Sequence, residues 1–263
     1  MGSSIACHYA NIGCEVLLLD ITPKELTPEE TAKKLTLDSK VVKNRIVQSS
    51  FDKCVKSSPG PIYSKKFLSR VTLGNFDDDF VKLKNMDWII EVVVENLDIK
   101  KKVYEQVEKH RTPGTLITSN TSGIPIHLMA EGRSDDFKKH FAGTHFFNPP
   151  RYLKLFEVIP TPHTDPEITK FLLHYGDLYL GKTSVLCKDT PAFIGNRVGV
   201  WGLLKVIDSM NKFGLNVDEI DKLTGPVIGR PKSATFRTSD VVGLDTLVKV
   251  ANNLYAGLPN DEG

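Results

Sequence analysis

Short apolar runs rich in β-branched residues alternate with longer amphipathic segments from the start of the chain to about residue 189. This alternation predicts βαβ units on a mostly parallel sheet with helices packed against it. The predicted strands are CEVLLLD (14–20), DWIIEVVVE (87–95), GTLITSN (114–120), FAGTHFF (141–147), LKLFEVI (153–159) and TSVLCKD (183–189). Apolar residues at helical spacing predict helices over residues 39–56 and 99–110.

The pattern changes after Asp189, where helical periodicity replaces the strand pattern. Helices are predicted over residues 191–213, 217–224 and 243–255, and no further strand is predicted. We therefore expect two domains. The first, residues 1–187, is a Rossmann-type, doubly wound α/β domain with a mostly parallel sheet, and the second, residues 188–263, is a smaller all-α domain.

The first twenty residues have the pattern of part of a dinucleotide-binding unit. A helix rich in small residues opens at Gly2 and leads into a strand that ends at Asp20. In such a unit a glycine begins the helix, and an acid about 20 residues later binds the adenosine ribose. The preceding strand and the first two glycines of GxGxxG are not in the sequence, so we expect a missing first strand and weakened pyrophosphate binding. A small-residue helix packed on a sheet explains the same pattern.

Composition and charge argue against several classes of function. The chain has 34 basic and 32 acidic residues and a formal charge of +2, which disfavours nucleic acid or an acidic membrane as a partner. Its longest apolar runs, such as WIIEVVV, are too short to span a bilayer. The four cysteines show no CxxC pairing and the N-terminus has no signal-peptide pattern. We therefore expect free thiols, a cytoplasmic location and no metal site.

Two further groups of polar residues follow predicted strands. Glu95, Asn96 and Lys100 follow the strand predicted over residues 87–95, and SNTSGIP (119–125) follows the next strand. Ligands of doubly wound sheets bind beyond the carboxyl ends of the strands, so these side chains are candidates for contact with a ribose or phosphate. Ordinary capping of the helices that follow is the alternative for both groups.

The stretch GTHFFNPPRYLKLFEVIP (143–160) places a glutamate inside an apolar strand. An ionised carboxylate is costly to bury unless it is paired and hydrogen-bonded. His145 precedes Glu157 by twelve residues, across a turn at Pro149 and Pro150, and an imidazole is a suitable partner. Glu157 would then fix the tautomer of His145 and leave its other ring nitrogen to act as a base. A structural histidine and a glutamate that reaches the sheet edge are the alternative.

The segments HFFNPPRYLKLFEVI (145–159) and CKDTPAFIGNR (187–197) resemble the signature of the L-3-hydroxyacyl-CoA dehydrogenases. The resemblance extends from Gly2 through most of the chain, and SNTS (119–122) lies upstream as in that family. The stretch TGPVIGRPKSATFRTSDVVGLDT (224–246) is similar to a branch of multifunctional fatty-acid oxidation proteins that also carry a hydratase domain. The resemblance implies NAD-dependent oxidation of (S)-3-hydroxyacyl-CoA to 3-oxoacyl-CoA.

The resemblance also implies roles for individual residues. His145 would take the proton of the 3-hydroxyl group, and Glu157 would orient His145. Ser122 and Asn196 would bind the reacting oxygen or the thioester, with Asn148 supporting them. The cofactor NAD would contact Gly2, Asp20, Glu95, Lys100, Asn120 and Asn148, with Asp20 selecting against NADP. Coenzyme A would contact Ser49 and Lys56, although residues 22–38 resemble an insertion that blurs the register there.

Other readings of the sequence stay open. A 2-hydroxyacid or β-hydroxyacid dehydrogenase of similar architecture would carry a catalytic lysine in the helical domain. A non-catalytic, crystallin-like relative, or a plain NAD- or CoA-binding module, would also fit a truncated chain. As partners we expect the acyl-CoA thioester and either a second copy in a homodimer or the rest of a larger multifunctional chain.

Overall fold

The computed structural model describes residues 1–258, and the end of the predicted helical domain, residues 259–263, lies outside the described residues. The chain divides into two compact units. The first consists of Met1–Thr121 and Ile126–Cys187, and the second of Ser122–Pro125 together with the chain from Lys188 onward.

The first unit alternates strands and helices. Its strands are β1 (Val16–Asp20), β2 (Val71–Asn75), β3 (Trp88–Glu91), β4 (Leu116–Ser119), β5 (Phe141–Phe146), β6 (Leu155–Pro160) and β7 (Thr183–Leu186). Its α-helices are α1 (Gly2–Asn11), α2 (Pro28–Ala32), α3 (Lys40–Lys43), α4 (Arg45–Val55), α5 (Phe76–Asp79), α6 (Leu97–His110), α7 (Ile126–Ala130), α8 (Asp135–Lys139) and α9 (Pro166–Leu178). Two 3₁₀ segments, Lys65–Arg70 and Phe80–Asn85, precede β2 and β3.

The strands form one sheet of two and one of five. β1 pairs in parallel with β2, and the larger sheet has the order β3-β4-β5-β6-β7. β3, β4 and β5 are parallel, whereas β6 runs antiparallel to β5 and parallel to β7. The reversal follows from the connection between β5 and β6, because eight residues without a helix are too few for a parallel crossover.

The edges of β1 and β3 line the same cavity, whose volume is about 1590 Å³. β1 pairs with β2 alone, and β3 pairs with β4 alone. The βαβ pattern of the sequence predicts a strand ahead of α1 at this position. The described residues supply no strand there, and the sheet is divided at that point.

Several elements of the first unit differ from the prediction. β2 was not predicted, because VTLGN is short, contains Gly74 and follows a basic segment. The helix predicted over residues 39–56 is interrupted at Asn44, which ends α3 and precedes α4. The strand predicted to reach Glu95 ends at Glu91, since the Glu91 carboxylate accepts a hydrogen bond from the backbone N–H of Val93 at 2.6 Å and the chain turns there.

The core of the first unit lies on the face of the larger sheet covered by α1 and α9. Phe146 of β5 lies opposite Phe156 of β6, and their ring centroids are 4.7 Å apart. Tyr9 of α1 packs edge-on against Trp88 of β3, with centroids 5.4 Å apart. The same core contains Ile5, Leu116, Ala142, Val158, Leu172 and Leu180. Because side chains alternate along a strand, the neighbours of Phe146 and Phe156 point to the opposite face.

The second unit is helical over its described residues. It contains α10 (Gly195–Phe213), α11 (Val217–Leu223), α12 (Phe236–Val242) and α13 (Leu244–Gly257), with a 3₁₀ turn at Pro226–Ile228. α10 begins four residues later than predicted, because Ala192 and Phe193 adopt positive φ angles that a helix does not allow. It ends at Gly214, whose left-handed conformation terminates the helix. α12 was not predicted.

Candidate active site

His145 and Glu157 lie directly opposite each other in the antiparallel pair of β5 and β6. The distance between Nδ1 of His145 and Oε2 of Glu157 is 2.8 Å, and the two side chains are 5% and 0% exposed. A carboxylate accepts, so Nδ1 carries the hydrogen in this bond. The predicted meeting of an imidazole and a buried carboxylate is therefore present. Their register pins the two groups together, because facing side chains on neighbouring strands have Cβ atoms about 5 Å apart.

An aromatic ring and a thiol lie beside this pair. The His145 ring packs against Phe147, with centroids 4.5 Å apart. Cys187, which follows β7, is 3% exposed. Burial and the adjacent Glu157 carboxylate raise the pKa of the Cys187 thiol to about 12. The thiol therefore keeps its proton at neutral pH.

The predicted cofactor residues at the start of the chain lie at an end of the smaller sheet. Asp20 is the last residue of β1 and is half-buried, and its Oδ1 accepts a hydrogen bond from the backbone N–H of Ile21 at 2.8 Å. Gly2 is the first residue of α1, and a Cβ there would make ordinary contacts with Val92 and Leu18, at 3.8 and 3.9 Å. Packing alone therefore does not require a glycine at position 2.

Lys100 does not point into an open cleft. Its side chain is 1% exposed, and Nζ lies 2.8 Å from Oε1 of Glu91 and 3.4 Å from Oε2 of Glu95. Glu91 also accepts hydrogen bonds from the hydroxyl groups of Tyr104 at 2.8 Å and Ser119 at 2.6 Å. Lys100 is thus part of a buried network with Glu91 and Glu95, and its predicted contact with NAD stays a prediction.

Glu95 is exposed in the loop that follows β3, four residues beyond the end of the strand. One of its carboxylate oxygens accepts a hydrogen bond from the Thr121 hydroxyl at 2.6 Å. This bond, together with the ion pair to Lys100, links the loop after β3 to the loop after β4. Asn96 caps α6, because its side-chain oxygen accepts a hydrogen bond from the backbone N–H of Ile99 at 3.1 Å.

Asn120 follows β4, and Asn148 follows β5. Asn120 is buried, and its Oδ1 accepts from the backbone N–H of Phe146, the residue after His145, at 2.9 Å. Asn148 is exposed, two residues beyond the end of β5. The polar residues of SNTS (119–122) therefore bind neighbouring strands and loops.

The remaining predicted site residues lie in two other places. Ser122 and Asn196 both belong to the helical unit, where Nδ2 of Asn196 donates to the Ser122 carbonyl at 3.2 Å. Ser49 lies on α4, and Lys56 follows the last residue of that helix. Both are exposed, and their separation of seven residues puts them two turns apart on one side of α4.

The sequence argument missed Glu91 and Lys182. Lys182, immediately before β7, is 7% exposed and donates from Nζ to the carbonyl oxygens of Pro150 and of Leu153, the latter at 2.7 Å. Burial and the charge of Lys154 lower its pKa to about 8. Lys182 thereby tethers the turn that carries Asn148. Nothing local marks this lysine, because its partners are backbone carbonyls some thirty residues away.

Residues 1–258 contain neither a metal-binding cluster nor a membrane-spanning helix. No group of three or more His, Cys, Asp and Glu side chains among them is arranged to hold a metal ion. None of the helices in the same range combines the length and apolar character needed to cross a bilayer.

Comparison with known proteins identifies the family. Residues 1–190 match the family model described as 3-hydroxyacyl-CoA dehydrogenase, NAD binding domain, and residues 193–262 match the C-terminal domain of the same family. The chain belongs to the 3-hydroxyacyl-CoA dehydrogenase family. The predicted family, the NAD-binding Rossmann-type domain and the helical domain that follows it are confirmed.

Individual members of the 3-hydroxyacyl-CoA dehydrogenase family extend this result. A Bacillus subtilis protein named as a 3-hydroxyacyl-CoA dehydrogenase is 57% identical over 262 residues, and a Rickettsia felis protein named as a fatty acid oxidation complex trifunctional enzyme is 33% identical. The chain spans about a third of the length of each, 33% and 34%. The crystal structure of (S)-3-hydroxybutyryl-CoA dehydrogenase from Ralstonia eutropha superposes with a TM-score of 0.75 at 26% identity, covering 99% of this chain and 85% of that one. Multifunctional fatty-acid oxidation enzymes are thus among the relatives, as predicted.

Proposed function

We propose that this protein oxidises (S)-3-hydroxyacyl-CoA to 3-oxoacyl-CoA with NAD, in the β-oxidation of fatty acids. The observation that carries the proposal is the buried hydrogen bond, 2.8 Å long, between His145 and Glu157. The names of the Bacillus subtilis and Ralstonia eutropha proteins support the reaction type and the thioester substrate.

Proton removal is the task of the protein in this reaction. NAD, when bound, supplies the redox chemistry by accepting the hydride from C3 of the substrate. Nε2 of His145 takes the proton of the 3-hydroxyl group while Nδ1 stays bonded to Glu157. The carboxylate stabilises the imidazolium that forms, and burial strengthens this interaction. The proton then leaves His145 for solvent after the product departs.

The residue types present suit both the adenosine half and the nicotinamide half of NAD. The Asp20 carboxylate, half-buried at the carboxyl end of β1, has the chemistry to accept hydrogen bonds from the adenosine ribose hydroxyls. Its charge would repel the 2′-phosphate of NADP. Glu95 and Asn120 follow β3 and β4, where the nicotinamide half is expected to bind. Lys100 holds Glu95 in place through an ion pair. Gly2 opens α1, whose amino-terminal end attracts phosphate.

Substrate contacts are assigned by residue type. Ser122 and Asn196 would hydrogen-bond the reacting oxygen or the thioester carbonyl, with Asn148 supporting the same region. Ser49 and Lys56, exposed on one side of α4 and just after it, would contact coenzyme A, with the lysine attracting its phosphates.

A second copy of the chain is the proposed protein partner. On α10, Ile194 just before the helix and Val198, Trp201 and Leu204 within it are exposed by 42%, 62%, 52% and 45%. Their spacing places them along one helix face, and contiguous exposed apolar surface of this kind favours an interface. Sedimentation equilibrium of the full-length protein, compared with Trp201→Glu, measures whether this face holds two copies together.

The four free thiols support a reducing, cytoplasmic environment.

The proposed reaction is tested with the full-length protein, acetoacetyl-CoA and NADH, following absorbance at 340 nm. We expect turnover by the wild type and a loss of about 10²–10⁴-fold in kcat for His145→Gln. Tight NADH binding without turnover would favour a binding module instead, and near-normal activity of His145→Gln would assign the base to another residue.

A further inference from the structure

Cys187 shares a sheet face with the proposed catalytic pair. In the parallel pairing of β6 and β7, Glu157 lies opposite Val185, and the backbone N–H of Cys187 continues the ladder by donating to the carbonyl of Val158 at 2.9 Å. Val185 and Cys187 are two residues apart, so they point to the same side of the sheet. That side is the one to which Glu157 and His145 point. The thiol is therefore the diagonal neighbour of the carboxylate, within reach of a side-chain contact.

The Glu157 carboxylate is fully buried, and a carboxylate can accept several hydrogen bonds. Its two oxygens offer about four acceptor positions, and the bond from His145 uses one of them. A buried charge is stabilised by each further hydrogen bond that it accepts. Cys187, itself 3% exposed, brings an uncharged S–H group to the same place.

The thiol has one proton and two nearby acceptors. Its Sγ lies 3.5 Å from the carbonyl oxygen of Val185, and the Glu157 carboxylate is the other acceptor. A hydrogen bond to an ionised group is stronger than one to a neutral carbonyl. The influence of Glu157 on the ionisation of Cys187 supports the same contact. The proton is thus expected on the side of the carboxylate.

We propose that Cys187 is a positioning residue that holds the Glu157 carboxylate against Nδ1 of His145 by donating a hydrogen bond from its thiol. The inference rests on the proposed function and deepens it, since it adds a member to the proton-transfer group. A thiol suits this place because it is small and uncharged at neutral pH. An ammonium or guanidinium group would neutralise the carboxylate and remove its effect on the imidazole.

Three substitutions separate donation from packing. Cys187→Ser keeps a small hydrogen-bond donor. Cys187→Ala and Cys187→Val both remove the donor, and the alanine side chain is smaller than cysteine whereas the valine side chain is larger. Cys14→Ala is the matched control, because the Cys14 thiol is half-buried and contacts the Tyr175 hydroxyl at 3.5 Å, away from Glu157. The thermal midpoint of each variant monitors packing.

The first measurement is the NMR resonance of the His145 Nδ1 hydrogen in the full-length protein, assigned by its disappearance in His145→Gln. Its downfield position reports the hydrogen bond to Glu157 and does not require turnover. We expect the alanine and valine variants to shift this resonance upfield and to lower kcat by about threefold to tenfold, the value of one modest hydrogen bond. Cys187→Ser and Cys14→Ala should retain the wild-type resonance and kcat, and NADH affinity should be unchanged throughout.

An unchanged resonance in both non-donor variants would overturn the inference. Equal losses in Cys187→Ser and Cys187→Ala would also overturn it, because they would show that the sulfur acts by packing alone. A wild type that shows the resonance but no turnover, with the resonance still sensitive to donor removal, would reject the proposed function and leave the positioning contact in place.

Discussion

Lys100 and Glu91 form an ion pair that is removed from solvent. Nζ lies 2.8 and 3.1 Å from the two carboxylate oxygens, and each side chain is 1% exposed. The pair joins the end of β3 to the first turns of α6, close to the loop that carries Glu95. Removing Lys100 leaves the buried Glu91 carboxylate without its counter-ion.

Replacing Lys100 by Met should therefore lower the free energy of unfolding by about 3–5 kcal/mol. Urea denaturation of the full-length protein measures this loss. Lys101→Met is the matched control, since its partner Glu131 is 57% exposed and surface pairs contribute at most about 1 kcal/mol. A loss in Lys100→Met no larger than that of Lys101→Met would show that the pair is not the anchor of this region.

Glu157→Gln should reduce kcat by about 10²-fold or more with little change in NADH affinity. The amide keeps the volume of the side chain but cannot stabilise the imidazolium form of His145. Steady-state rates with acetoacetyl-CoA and NADH, combined with NADH fluorescence titration, separate the two effects. Glu167→Gln on α9 is the control and should behave as the wild type, because the Glu167 side chain is 76% exposed. Wild-type kcat in Glu157→Gln would remove the carboxylate from the mechanism.

Asp20→Asn should reduce the preference for NAD over NADP by about tenfold or more, because like-charge contact between a carboxylate and a phosphate is worth several kcal/mol. The ratio of kcat/KM for the two cofactors measures the preference. Asp38→Asn, an exposed acid outside the strands, should leave the ratio unchanged. An unaltered ratio in Asp20→Asn would place the selection against NADP elsewhere.

The sequence was sufficient to predict the pair His145 and Glu157, because a carboxylate inside an apolar strand demands a partner. The same rule applies to Glu91, which interrupts the run WIIEVVV, but it was not applied there. Its partner lies nine residues away across a strand-to-helix connection, so a local reading placed Lys100 at the cofactor instead. The predicted direct contact of Lys100 with NAD stays a prediction, and burial of its amine argues for an indirect role.

Other features depend on contacts distant in sequence. β2 is a strand because it pairs residue for residue with β1, from Val16 opposite Val71 to Asp20 opposite Asn75, and its own five residues carry little strand signal. The direction of β6 was predictable from its short connection to β5. The tether from Lys182 to the turn after His145 was not, because it joins backbone carbonyls to a side chain through tertiary packing alone.

The stability of the fold should fall in mild acid because of His8. Its side chain is buried, Nε2 lies 3.1 Å from the carbonyl oxygen of Leu180, and Nδ1 has no hydrogen-bond partner among the described residues. Burial, with a smaller effect of the Lys182 charge, lowers the pKa of His8 from 6.5 to about 4. Between these two values the unfolded chain binds a proton at this residue and the folded chain does not, so stability rises with pH over this range.

The contribution of His8 is therefore complete above about pH 6.5 and is lost progressively towards pH 4, by about 3 kcal/mol in all. Urea unfolding of the full-length protein at several pH values gives the free energy of unfolding as a function of pH. The contribution of His8 is the difference in slope between the wild type and His8→Gln, whose side chain cannot titrate. The wild type should lose more stability than the variant as the pH falls. His163→Gln, at an exposed histidine, should keep the wild-type slope. Parallel pH profiles for the wild type and His8→Gln would mean that the folded protein accommodates a protonated His8, and that the cationic form is compensated by groups that move towards it.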